Sequence, residues 1–209
     1  MKYRVLALLL MALGGWVLGQ TGSGPGTERV APPRYPGGYL KFTYEGVGPG
    51  GTQLKTSMEI SPLPDGRYEV RTTNYQVADA TRVQPSFFGL GWVGLGFRVR
   101  EAEQGGLDLT GVSALAQLTL TPGRTYLLPD GAMFQATEFG QIVGISVIYG
   151  IYTHGDAPNL RLELAWVLEG TVRDLLPFYP YARLVQRASP TGPFDTVLTE
   201  VRLTEFVRK

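Results

Sequence analysis

From residue 39 onward the chain alternates apolar and polar positions with a period of two, the signature of half-buried strands. Leu40, Phe42 and Tyr44 alternate with Lys41, Thr43 and Glu45. Beyond a Gly-Pro-Gly-Gly turn, Leu54, Met58 and Ile60 alternate with Gln53, Lys55, Ser57 and Glu59. After PLPDG (62–66), Tyr68, Val70 and Thr72 alternate with Arg67, Glu69 and Arg71. These three segments predict an antiparallel meander with one apolar and one polar face. Residues 85–97 (PSFFGLGWVGLGF) break the pattern, being apolar apart from Ser86 and matching neither the strand nor the helix period. A short strand is expected over 97–103 and one helical turn within 109–118. Strands resume at 119–120, 124–128, 132–137, 141–153, 160–168, 181–188 and 196–207, the last two forming a closing hairpin. With no long amphipathic helix, the reading is all-β. About nine to eleven strands form a curved, mainly antiparallel sheet, an unclosed barrel or half-barrel. Segments 85–97 and 109–118 are the short apolar or helical pieces available to plug its concave face.

The first 38 residues follow other rules. MKYRVLALLLMALGGWVLG (1–19) has a basic start at Lys2 and Arg4, an apolar run from Val5 to Leu18, and Val17-Leu18-Gly19 as a cleavage pattern. It reads as a secretory signal peptide, with an apolar run too short for the roughly 20 residues of a membrane span. Residues 20–38 (QTGSGPGTERVAPPRYPGG) read as a Gly/Pro-rich linker, with Tyr35 as the anchor if they lie ordered along the domain. Residues 39–209 are expected to form a single β domain. Export to the periplasm or beyond removes enzymes that draw on ATP or reduced nicotinamide. It leaves no transmembrane segment after cleavage.

Composition narrows the chemistry further. Without Lys2 and Arg4 the chain carries 17 basic and 18 acidic residues. A surface near neutrality, with no run of like charge, predicts no nucleic-acid partner. There is no cysteine, hence no disulfide, no thiolate metal site and no acylated cysteine tether. Gly89, Gly91 and Gly94 spell G-x-G-x-x-G, but a dinucleotide site needs a strand before that motif and a helix after it, and neither is predicted. His154, the single histidine, excludes a multi-histidine zinc site and reads as an exposed turn residue beside Gly155 and Asp156. No G-x-S-x-G elbow accompanies it. Glu59, Glu69, Glu163, Glu200 and Glu205 fall at polar strand positions near arginines and threonines, where cross-strand ion pairs explain them better than catalysis. The scattered aspartates build no calcium loop. No metal, cofactor or catalytic group is expected.

Residues 175–181 (LLPFYPY) are apolar, aromatic and broken by two prolines, which suits a groove rim or a rigid corner. The closing sequence FYPYARLVQR (178–187) with VLTEVRLTEF (197–206) resembles the last hairpin of uncharacterised bacterial envelope β proteins similar to the Lol-type periplasmic lipoprotein carriers. The resemblance covers about the final 80 residues and rests mostly on aliphatic alternation. It implies an unclosed antiparallel barrel plugged by short helices, binding acyl chains without catalysis. The missing lipidation cysteine departs from the lipoprotein-type member and leaves the soluble type. Together these readings point to an exported, non-enzymatic protein binding a lipid, acyl chain or acylated protein. The ligand-binding candidates are Phe87, Phe88, Trp92, Phe97, Trp166, Phe178 and Tyr181. The alternative is an envelope structural or assembly protein whose apolar segments contact other envelope proteins.

Overall fold

A computed structural model describes residues 35–48, 51–77, 107, 109–189 and 191–209. Among these, nine strands form one sheet: β1 (Leu40–Val47), β2 (Gln53–Pro62), β3 (Tyr68–Val77), β4 (Thr125–Leu127), β5 (Met133–Ile142), β6 (Ile145–Thr153), β7 (Leu160–Val167), β8 (Tyr181–Arg187) and β9 (Phe194–Arg208). Their order is β3-β2-β1-β9-β8-β7-β6-β5-β4, and every pairing is antiparallel. β3 and β4 are the two edges, so the curved sheet stays open. The all-β, unclosed architecture is the one the alternation predicts. A 3-10 helix (Thr110–Gln117) and a single helical turn (Gly170–Arg173) accompany it.

Register shows why the alternation works. Leu40, Phe42 and Tyr44 stand opposite Ile60, Met58 and Thr56 on one side, and opposite Arg208, Phe206 and Leu203 on the other. The same face continues through Ala182 and Leu184 of β8, and through Leu160, Leu162, Leu164 and Trp166 of β7. It ends on Ile148, Gly150 and Tyr152 of β6 and Phe134 of β5. This inner face carries most of the core, on which Leu107, Val112, Leu115, Leu120 and Leu128 are buried from the non-strand segments. Phe134 fits because Gly150 lies opposite Ala136 beside it: a Cβ on Gly150 would sit 2.2 Å from the Phe134 ring. Register shifts at Thr43/Tyr44, Ala136/Glu138, Leu184/Val185 and Gln186/Arg187 add local bend and twist.

Three boundaries differ from the sequence reading. Residues 141–153 do not form one strand, because the chain reverses at Val143-Gly144, both at positive φ (45° and 83°). That is the two-residue hairpin geometry normally signalled by Asn-Gly or Asp-Gly, and a β-branched valine in its first position hides the turn. Residues 119–120 are not a strand but the lead into the turn before β4. The single helical turn expected in 109–118 is an eight-residue 3-10 helix. Tyr35, placed in the linker, hydrogen-bonds through its hydroxyl to Gly38 O (3.0 Å) and packs edge-on against Tyr68 at 5.3 Å.

Candidate ligand-binding face

Phe87, Phe88, Trp92 and Phe97 lie outside the described residues, as does the strand expected over 97–103. The other three aromatic candidates do not converge. Trp166 is on the inner face, buried beside Tyr179 (6.2 Å between ring centres), which in turn packs on Phe178 at 4.8 Å. The Arg173 guanidinium stacks over the Trp166 ring at 5.2 Å. Tyr181 pairs with Ala165, one residue out of phase with Trp166, and so stands on the opposite face. There its ring meets Tyr149 at 6.3 Å and the Arg202 guanidinium at 5.6 Å. The rigid corner is therefore split between two faces by the strand alternation that begins at residue 181.

The corner is clamped to the sheet by Tyr44, whose buried hydroxyl donates to Phe178 O (2.8 Å). Burial pushes the Tyr44 phenol far above its ordinary range, and burial alone pushes Tyr179 up to about 12. Both phenols remain neutral at physiological pH, as packed aromatics do.

A second clamp went unnoticed in the sequence, where Asp130-Gly131 reads simply as a turn. The Asp130 carboxylate accepts from Gly111 N–H (2.8 Å), Ala132 N–H (3.0 Å) and Tyr152 O–H (3.1 Å). It thereby ties the 3-10 helix to β6 across the inner face. His154 belongs to the same corner and is not the exposed turn residue its neighbours suggest, its side chain being only 10% exposed. Its Nδ1 accepts from Asp156 N–H (3.2 Å), which leaves Nε2–H to donate to Asp130 O (3.2 Å). The signal that could have exposed this cluster is a sole histidine and a turn aspartate flanking the same hairpin.

The carboxylates on the outer face act as ion-pair partners. Glu205 accepts from Lys41 Nζ (2.8 Å) and Thr43 Oγ1 (2.9 Å), which together hold its carboxyl below the usual range. Glu163 binds Arg161 and Arg183, and Arg183 reaches on to Glu200 (3.6 Å). Glu69 pairs with Arg71 two residues along its own strand (2.9 Å). Among the described residues no three His, Asp or Glu side chains gather into a metal site, and no helix is long and apolar enough to cross a membrane.

The inner face changes character toward both edges. Along one row, Leu40 is 2% exposed, Ile60 is half-buried and Val70 is 57% exposed. Along another, Trp166 and Ile148 are buried while Phe139 is 57% exposed. Sequence reading missed Phe139 because the bulge at Ala136/Glu138 flips the phase of β5, bringing an odd-numbered residue to the face of Phe134 and Ala136.

Such a molecule is a one-sheet β protein with a packed centre and apolar margins. No family model matches the sequence, and no curated protein does. The similar solved structures include MucB, alone and in complexes. One of MucB alone has a TM-score of 0.40 at 12% identity, over 82% of this chain and 53% of that one. A complex of MucB with MucA(peri) gives 0.38 at 14%, over 81% and 49%. The Pseudomonas aeruginosa MucA/MucB complex gives 0.38 at 11%, over 81% and 51%. The chain thus spans about half the length of the MucB chains it matches.

Proposed function

We propose that this chain is an exported, non-enzymatic protein that holds a hydrophobic ligand, a lipid or acyl chain, against the inner face of its curved sheet. The observation that carries this reading is the row Leu40–Ile60–Val70, where an apolar surface runs on past the covered core into solvent at the β3 edge. Burying that margin under an acyl chain would yield roughly 25 cal/mol per Å² of apolar area. Phe139 extends the same logic at the opposite edge. Phe87, Phe88, Trp92 and Phe97 join as sequence-based contributors, since their segment follows β3. Trp166 and Phe178 act as the floor beneath the ligand, whereas Tyr181 stands on the other face. Signal-directed export to the periplasm or medium is part of the same reading.

The test is binding of a fluorescent fatty acid to protein purified without detergent, with Val70→Asp as the variant. Val70 is exposed, so the variant should melt within a degree or two of the parent and bind the probe at least several-fold more weakly. Equal binding by both proteins would refute the inner-face reading. A second reading, an envelope assembly protein, draws on β3 itself. It is a ten-residue edge strand without bulge or proline that exposes Tyr75 and Val77 on its outer side, the kind of edge another chain can extend.

A further inference from the structure

Where β7 begins and β8 ends, Pro158, Asn159, Gln186, Arg187, Ser189 and Thr196 line an open pocket of about 360 Å³. Its frame is fixed by backbone bonding: Arg187 N–H donates to Asn159 O (3.0 Å), and Gln186 pairs with Leu160 on one side and Thr196 on the other. Beside it, the guanidiniums of Arg161 and Arg187 share one ring, that of Phe194, at 4.8 and 5.1 Å. Two cations on one ring repel each other, and only one of them is compensated. Arg161 pairs with Glu163, whereas Arg187 has no carboxylate and no side-chain hydrogen-bond acceptor among the described residues. Its Nε is buried without a partner, as is that of Arg161, so the missing carboxylate is what sets Arg187 apart. A half-buried, uncompensated guanidinium is costly unless an anion completes it, and its planar fork of N–H donors suits an oxyanion.

We propose that this pocket binds a phosphate-type oxyanion with Arg187 as its charged anchor. The Ser189 hydroxyl and the Asn159 and Gln186 amides supply neutral donors from separate strands and turns, while the Thr196 hydroxyl donates to the Asp195 carboxylate (3.2 Å). That distribution surrounds a tetrahedral anion better than a planar carboxylate. The phosphate can be free or carried on a lipid headgroup, and the site stands without the acyl-binding reading above.

The experiment is titration of the full domain with inorganic phosphate and, separately, with water-soluble dihexanoyl phosphatidic acid, followed by calorimetry and by backbone amide spectra. The expected result is saturable shifts confined to the residues around Arg187, Ser189 and Thr196, with affinity lowered roughly tenfold or more in Arg187→Gln. Arg187→Lys, which keeps the charge and loses the fork, should fall between the two. It also serves as the folded variant should Arg187→Gln unfold. A response to both probes assigns free phosphate, and a response to phosphatidic acid alone assigns a headgroup. Val70→Asp, the variant that tests acyl binding, should leave phosphate binding unchanged. Silence toward both probes, or unchanged affinity in both Arg187 variants, overturns the proposal.

Discussion

The inner row of β7 and the inner row of β3 belong to one sheet and live in different solvents. Leu160, Leu162, Leu164 and Trp166 are all buried, whereas Tyr68, Val70, Thr72 and Asn74 are all exposed. The difference is cover. β7 lies in the middle of the sheet, beneath the aromatic corner of residues 175–179 and the 3-10 helix held by Asp130. Above β3 the described residues place only Tyr35, at its first residue. Composition follows the same gradient, since β3 turns from Tyr68 and Val70 to Thr72 and Asn74 along its length, and Asn74 accepts from Thr56 (3.0 Å). A sheet of one topology can therefore be a core at its centre and a surface at its margin.

Paired truncations sharpen that contrast most strongly. Phe134→Ala should cost about 3–5 kcal/mol in urea unfolding, because Gly150 offers no side chain to refill the space. Val70→Ala should cost about 0.5 kcal/mol or less, as exposed positions do. Comparable losses at the two sites would mean that β3 is as well covered as β7. A smaller effect of opposite sign is expected at the β5–β6 turn. Val143→Asn should stabilise by about 0.5–1 kcal/mol, since asparagine accepts a positive φ that valine resists. Unfolding curves in urea check both the sign and the size.

The smallest effect is electrostatic and lies at the outer face of the β1–β9 seam. Lys41 and Thr43 hold the Glu205 carboxyl below its ordinary range. Its contribution is complete above the unfolded carboxylate range and disappears as pH falls through the lowered folded value. Glu205→Gln should thus flatten the acid limb of a stability-against-pH curve and change little at neutral pH. The pair is more than one-third exposed at Glu205, so solvent screening keeps the effect below that of the Val143 change.

The fold was legible wherever local alternation ran unbroken. β1, β2 and β3 follow from the phase of Leu40, Phe42, Tyr44, Met58 and Ile60, and the last hairpin from residues 181–207. What stayed hidden depends on geometry that single residues do not announce. Val143 occupies a turn position that its side chain disfavours, and the β5 bulge moves Phe139 to a face its parity denies. Tyr181 looks continuous with the aromatic corner until strand pairing turns it away from Trp166. Asp130 and His154 gain their roles from partners 19 to 24 residues distant, and Arg187 from a ring brought alongside by β8–β9 pairing. Turn geometry, bulges and strand pairing created these environments.

Strand β9 carries one more consequence. It lies between β1 and β8, and Tyr39 and Lys209 exchange backbone hydrogen bonds in both directions (2.9 and 3.0 Å). Within the sheet, the β1–β3 meander and the β4–β8 ladder are therefore joined by a strand whose contacts with β1 span more than 160 residues of chain. Each part can form from neighbouring hairpins, but the joined sheet must wait for that one distant closure. High contact order of this kind slows folding, and until β9 docks, the edges of β1 and β8 stand open to pairing with other chains. The seam that unites the sheet is thus also its point of greatest exposure to misassembly.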